Sequence, residues 1–388
     1  MPAPLFDIDE LLASAQAATG YDDFGPTHFK EGLGVLIDAL TTDAHLKAEV
    51  VPKARAMIST RLEKRLRLQH FYNAHPEIAD QPVTAPIFIL GSPRSGSSIM
   101  HELLSLDPGN RTPQAWEVAN PLPPPEADTY DTDPRIKQMQ DVMDATAATN
   151  PSRAMHRVGA TLPSEDVEIT MLDFASVIPL VTYYVPSYSR WLYDEVDFAP
   201  VYRTLKQFMQ LLQWKTTASP WILKSLYSMH YIDAFLATFP DARVIWLHRD
   251  PLGAMASGVK LVTMASAGSS DVVDPSDIAR DPARWSVAQH DRSVDVQERH
   301  LIPDDRLINV RFPEFVADHV AMVKKVYDHF GMELLPAVEQ RMREYVSGNP
   351  AERHNPYEDD LIRLGLDPAD YRRRFARYQE YFGIGNDH

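Results

Sequence analysis

Residues 86 to 106 constrain this chain more than any other stretch. They read Pro86-Ile87-Phe88-Ile89-Leu90, then Gly91-Ser92-Pro93-Arg94-Ser95-Gly96-Ser97-Ser98, then Ile99-Met100-His101-Glu102-Leu103-Leu104-Ser105-Leu106. The first run is apolar, with β-branched and aromatic residues, and has the length of a strand buried on both faces. In the last run Ile99, Leu103 and Leu106 share one helix face, with Ser97 or Ser98 placed to cap it. A strand that breaks on glycine and serine and re-enters a helix leaves backbone N–H groups pointing into the gap, at the positive end of the helix dipole. The stretch therefore reads as an anion cradle. Its spacing is Gly91-x-x-x-x-Gly96, but Ser97 stands where a nucleoside-triphosphate loop carries lysine, and the cation comes earlier, at Arg94. Such a loop suits a phosphate-like group without being an ordinary ATP or GTP site.

The whole chain bounds what this cradle can serve. Its 388 residues suffice for a full core, as one large or two modest domains. No cysteine is present, which removes disulfides, thiolate metal sites and cysteine nucleophiles and fits a reducing compartment. A formal charge of -16 argues against a nucleic-acid-binding surface, so any anion site must be a local basic pocket in an acidic protein. The opening residues, Met1 to Asp7, have neither the basic nor the apolar region of a signal peptide, and no apolar run is long enough for a membrane span. The expectation is a cytoplasmic protein.

Residues 1–82 read as a helical layer packed on the main fold. Ile8, Leu11, Leu12 and Ala15 mark one helix ending at Gly20; Leu33, Leu36, Ile37 and Leu40 mark a second; a third runs from about Leu46 to Phe71 with a bend at Pro52. Arg61, Lys64, Arg65 and Arg67 on that third helix read as a solvated face. Residues 83–388 then form the α/β part, one compact unit with the layer. Within it lies an insertion at about 121–218, opening on Pro121-Leu122-Pro123-Pro124-Pro125, where helix and central strand are both excluded. Residues 134–175 read as mostly helical and contain His156 and the acidic pair Glu165-Asp166. Aromatic groups crowd the stretch from Phe174 to Phe198, which reads as core or as the wall of an acceptor pocket.

From Trp221 strands and helices alternate. Trp221-Ile222-Leu223 ends in Lys224; Arg243 to Leu247 ends in His248-Arg249, with Asp250 as N-cap and Pro251 at the first helical position; Leu307 to Val310 is a further strand. This pattern predicts a three-layer αβα fold on a central parallel sheet. Ligands in such folds bind beyond the carboxyl ends of the strands, where Arg94, Lys224 and Arg249 all lie. Residues 262–281, rich in Gly, Ser and Asp, read as a loop, either a lid or a plain surface excursion. The tail around Tyr371 to Tyr378 reads as an amphipathic helix ending near Gly383, its arginines on the surface.

Together these residues resemble the sulfotransferases that use 3′-phosphoadenosine 5′-phosphosulfate (PAPS), and among them the bacterial branch of about this length. Pro93-Arg94-Ser95-Gly96-Ser97-Ser98 is similar to the family's loop around the 5′-phosphosulfate, with serines in place of two threonines. Arg249 followed eight residues later by Ser257 resembles the family's pair for the 3′-phosphate, and two helical turns let both face one phosphate. The resemblance continues through Trp221 to Lys224, Phe239-Pro240-Asp241-Ala242 and Leu364-Gly365-Leu366-Asp367. It implies the P-loop-like sulfotransferase fold, PAPS as co-substrate with the 3′,5′-bisphosphate PAP as product, no metal, and in-line transfer to a hydroxyl or amine of a small acceptor. Arg94 would stabilise the leaving phosphate oxygen, with Lys224 near the transferred group. Arg353, followed by His354, resembles a basic pair that reaches the nucleotide. For the general base the candidates are Glu117, downstream of the loop helix, and His156. Relatives often read Lys-Ser-Pro-x-His where this chain has Lys224-Ser225-Leu226-Tyr227-Ser228, so a base at that position is lost unless His230 replaces it.

Two rival readings have their own signatures. A P-loop kinase or NTPase would turn over ATP with magnesium, and Ser97 in the lysine position speaks against it. A noncatalytic relative would bind the nucleotide without a working base. The aromatic stretch favours an apolar or amphipathic acceptor, and the sequence leaves the oligomeric state open.

Overall fold

A computed structural model describes residues 5–147, 158–216, 219–226, 228–271, 273–349 and 357–386. Three helices come first: α1 (Ile8–Thr19), α2 (Phe29–Thr42) and α3 (Val51–Ala74). The Asp7 carboxylate caps α1 by accepting from the Glu10 N–H at 2.8 Å, and Gly20 ends it in the left-handed region. Pro52 lies in the first turn of α3, where a missing N–H costs nothing, so it opens that helix instead of bending it. Then follow β1 (Ile87–Gly91), α4 (Ser97–Ser105), α5 (Ala115–Ala119), α6 (Pro134–Ala147), and the short α7 (Val167–Thr170) and α8 (Pro186–Arg190). After α9 (Ala199–Gln213) come β2 (Ile222–Lys224), α10 (Ile232–Thr238), β3 (Arg243–His248), α11 (Pro251–Ser269), α12 (Pro275–Glu298) and β4 (Leu307–Arg311). The chain continues through α13 (Phe312–Ala317), α14 (His319–His329), α15 (Pro336–Gly348), α16 (Glu358–Arg363), α17 (Pro368–Arg374) and α18 (Ala376–Phe382).

The strands pair in parallel in the order β2-β1-β3-β4. Because successive side chains point to opposite faces, β1 serves two cores. Phe88 and Leu90, with Leu223, Val244 and Trp246, pack into one that continues through α9 and α10 to the N-terminal helices. Ile87 and Ile89, with Ile222, Ile245 and Leu247, pack under α4, α14 and α15 in the other. The sheet is thus covered on both faces, the three-layer arrangement that the strand and helix order predicts.

The structure corrects two further local expectations. The basic side of α3 is a docking face: Arg65 is buried in an ion pair with Asp173 and donates to Phe24 O and Pro26 O, each at 2.8 Å. Lys64 donates to Val118 O at 2.9 Å, burial pulling its ammonium down to about 8, and Arg61 pairs with Glu168 at 3.1 Å. Phe24 and Pro26 belong to the same layer while Asp173, Val118 and Glu168 come from the following α/β part, and all are invisible to a helix read by itself. Residues 262–281 are mostly helix: α11 runs through Ser269, and α12 starts at Pro275 under an Asp274 cap. Alanine and methionine propensity outweighs the glycine and serine content there.

Candidate active site

The cradle is assembled where β1 ends. Gly91 has φ 145° and passes so close to β3 that a Cβ there would lie 2.7 Å from Leu247 O. Arg94 itself adopts the left-handed region, φ 66°, and so does Gly96, φ 92°. A Cβ on Gly96 would also meet the Phe315 ring at 3.0 Å, so α13 closes the loop from the side. Gly96 is the N-cap of α4 and no side chain caps that helix. The expected Ser97 or Ser98 cap is therefore corrected: both serines are the first helical residues. Their positions leave the first-turn N–H groups of α4 to a ligand, since such groups have no intrahelical acceptor. The hydroxyls of Ser92 and Ser95 are buried, with no hydrogen-bond partner among the described residues. An uncapped helix start lined with serine hydroxyls suits an anion such as a phosphate group.

Two of the strand-end cations reach the loop that carries the third, Arg94. Lys224, at the end of β2, donates to Ser98 Oγ at 2.9 Å. Arg249, beyond β3, donates to the Arg94 carbonyl at 2.7 Å, with its guanidinium 4.1 Å above the Phe312 ring. Ser257 lies in the second turn of α11, half-buried.

Lys224 also pairs with Glu165 at 2.7 Å, and this carboxylate was not among the candidates read from the sequence. The signal was the Glu165-Asp166 pair; its placement depends on the Asp166 N–H donating to Lys224 O at 3.2 Å, which ties the pair to the end of β2. Glu165 keeps 38% of its side chain exposed whereas Lys224 is buried, so the carboxylate is the member that an acceptor can reach. Asp166 is buried beside it and bonded to Ser225, and burial lifts its carboxyl to about 7. Ser225 bonds Ser228, to which Tyr202 donates at 3.0 Å. Asp166, Ser225, Ser228 and Tyr202 form the polar side of a cavity whose other walls include Val177, Leu192, Phe198 and Tyr231.

Glu117 is not part of this constellation, a correction to its reading as general base. Its carboxylate is fully buried and bonded to Arg111, to the Tyr130 hydroxyl at 3.1 Å and to the Gln114 N–H at 2.9 Å, as half of the capping box of α5. Arg111 stacks 4.9 Å from Trp221, which precedes β2, so this network sits at the opposite strand end from Lys224. His230 places its ring 4.8 Å from that of Tyr193. His156 and Arg353 lie outside the described residues.

Comparisons with known proteins match this geometry. A family model described as "Sulfotransferase family" matches residues 86–336, from the strand before the cradle to the start of α15. A curated omega-hydroxy-beta-dihydromenaquinone-9 sulfotransferase of Mycobacterium bovis is 23% identical over 282 residues, 70% of this chain and 69% of the relative. The crystal structure of sulfotransferase STF9 from Mycobacterium avium superposes with a TM-score of 0.90 at 28% identity, covering 97% of each chain. That of sulfotransferase STF1 from Mycobacterium tuberculosis gives 0.84 at 28% identity, covering 97% of this chain and 100% of the other. The family match spans the cradle, all three strand-end cations and Glu165, and the chain accordingly belongs to the sulfotransferase family of transferases.

Proposed function

We propose that the sulfuryl donor is PAPS and that the acceptor is a small apolar or amphipathic alcohol or phenol. The observation that carries the donor reading is that Lys224 and Arg249 both reach the Arg94 loop at the uncapped start of α4. PAPS supplies a sulfuryl group activated by its link to a phosphate. The first-turn N–H groups of α4 and the Arg94 guanidinium would hold that phosphate and stabilise charge as the S–O bond to it breaks. Lys224, kept in place by Ser98 and Glu165, would donate to the oxygen that leaves. Glu165 would take the proton from the acceptor hydroxyl as its oxygen bonds to sulfur, needing only hydrogen-bond reach. Arg249 and Ser257 would bind the 3′-phosphate.

The acceptor class is supported by the cavity beside Glu165, where Leu192, Phe198 and Tyr231 face Asp166 and Ser225. At about 20 Å³ the cavity has room for roughly one water, so it would have to widen to seat an apolar body with one hydroxyl turned to the polar side. The curated relative from Mycobacterium bovis, named for a hydroxylated dihydromenaquinone, points the same way.

Calorimetric titration with PAP, with ATP as control ligand, tests the donor. Micromolar binding of PAP that weakens by roughly 1.5 to 3 kcal/mol in Arg249→Ala is the expected result; tighter binding of ATP with magnesium would remove PAPS from the reading. An acceptor screen of long-chain alcohols, phenols, sugars and peptides tests the second half, and sulfation confined to sugars or peptides would overturn it.

A further inference from the structure

One residue beyond Arg249, Asp250 places a fully buried carboxylate at the start of α11. It is needed there as a cap: the Leu252 N–H donates to Oδ1 at 3.1 Å, and an anion suits a helix N-terminus. The same helix end is where Arg249 and Ser257 are read to receive a phosphate, so the cap would repel the ligand. Positions 250, 253 and 257 fall on one face of α11, because separations of three and four residues return to the same side. Tyr357 covers that face: a Cβ on Gly253 would lie 3.1 Å from its ring. The Tyr357 hydroxyl donates to Asp250 Oδ2 at 2.8 Å. Arg372, from α17, pairs with Asp250 Oδ1 and donates to the Tyr357 oxygen at 3.2 Å. Glu358 lies 4.0 Å from the same guanidinium, on its outer side chain, 61% exposed.

We infer that Arg372 is a charge-balancing and positioning residue for the 3′-phosphate subsite. By neutralising the Asp250 cap it lets a phosphate approach the start of α11, and through Tyr357 it holds the face that carries Ser257. The inference rests on the reading of Arg249 and Ser257 as the 3′-phosphate contacts. It goes beyond that reading by giving a function to an arginine more than a hundred residues away, which acts through Asp250 and Tyr357.

The test is calorimetric titration of the full chain with two nucleotides, PAP and adenosine 5′-monophosphate, which lacks the 3′-phosphate. In Arg372→Gln the Kd for PAP rises about tenfold or more while that for the monophosphate changes less than about threefold, since like charges are penalised only where the second phosphate binds. Asp250→Asn keeps a capping side chain and removes the charge, so it raises the preference for PAP. The double variant returns to within about threefold of the wild-type preference. Equal weakening of both nucleotides in Arg372→Gln, or no recovery in the double variant, would make Arg372 merely structural and overturn the inference. If Arg372→Gln does not fold, Asp250→Asn decides alone, and an unchanged or lower preference for PAP sinks the idea. Wild-type protein with no preference for PAP over the monophosphate would instead overturn the 3′-phosphate reading itself, and the inference with it.

Discussion

Glu117 and Glu165 each accept from a cation, but Glu117 is enclosed with both oxygens engaged, whereas Glu165 is part-exposed beside the lysine at the cradle. Sequence distance from the loop helix favoured Glu117; the partner that claims it, Arg111, is held by Trp221 from more than a hundred residues later. No local pattern carries that information. Two substitutions separate the roles. Glu165→Gln is expected to lower kcat by about 10²- to 10⁴-fold while the Kd for PAP stays within about threefold, as steady-state kinetics and calorimetry will read. Glu117→Ala strands the buried Arg111 guanidinium and is expected to cost about 3 to 5 kcal/mol of unfolding free energy in urea, with PAP bound normally by the molecules that remain folded.

At the scale of elements, the sequence was legible wherever burial imposed a short period. The four strands lie within a residue or so of the runs at Pro86, Trp221, Arg243 and Leu307: β1, β2 and β3 are buried on both faces, whereas the edge strand β4 buries only Val310. The strand-end cations followed from the same logic, since parallel strands all deliver their next residues to one edge. The stretch from 262 to 281 failed because composition was read without its caps: Asp274 and Pro275 are a helix start, whatever surrounds them. The start of α4 depends on backbone that only glycine adopts freely. Gly96→Ala, at φ 92° and against the Phe315 ring, is expected to destabilise the fold by about 1 to 2 kcal/mol and to raise the Kd for PAP, thermal melting and titration giving the two readouts.

At the scale of the whole molecule, burial sets the response to acid. His101, His248 and His290 are enclosed, and burial lowers them from 6.5 to about 4, 3 and 4. The unfolded chain therefore binds more protons from pH 6.5 downward, and the stability present above pH 6.5 is lost as pH falls toward 4. Asp166 opposes them: burial raises it from 3.8 to about 7, so its contribution is present below pH 3.8 and lost as pH rises through 7. Urea midpoints across pH 4 to 7 are expected to fall on acidification, and to fall more steeply in Asp166→Asn, where the opposing group is gone. A steeper fall in wild type than in the variant would contradict this assignment.

The tail has a consequence for how the protein is made. The His248 ring stacks on Phe382 and accepts or donates a 2.8 Å bond with Tyr378, while Arg372 holds Asp250, so residues 357–386 lock the end of β3. The central strand β1 likewise waits for β2 and β3, which are synthesised more than a hundred residues later. Pairings this distant in sequence form slowly. During translation the cradle at Gly91 to Ser98 emerges early, but its walls at Leu247 and Phe315 follow more than a hundred residues later, and the brace on Asp250 comes only with residues 357–386. A growing chain thus carries the loop long before it can bind a nucleotide, and a chain cut before Tyr357 would keep the whole cradle and lose the brace that completes it.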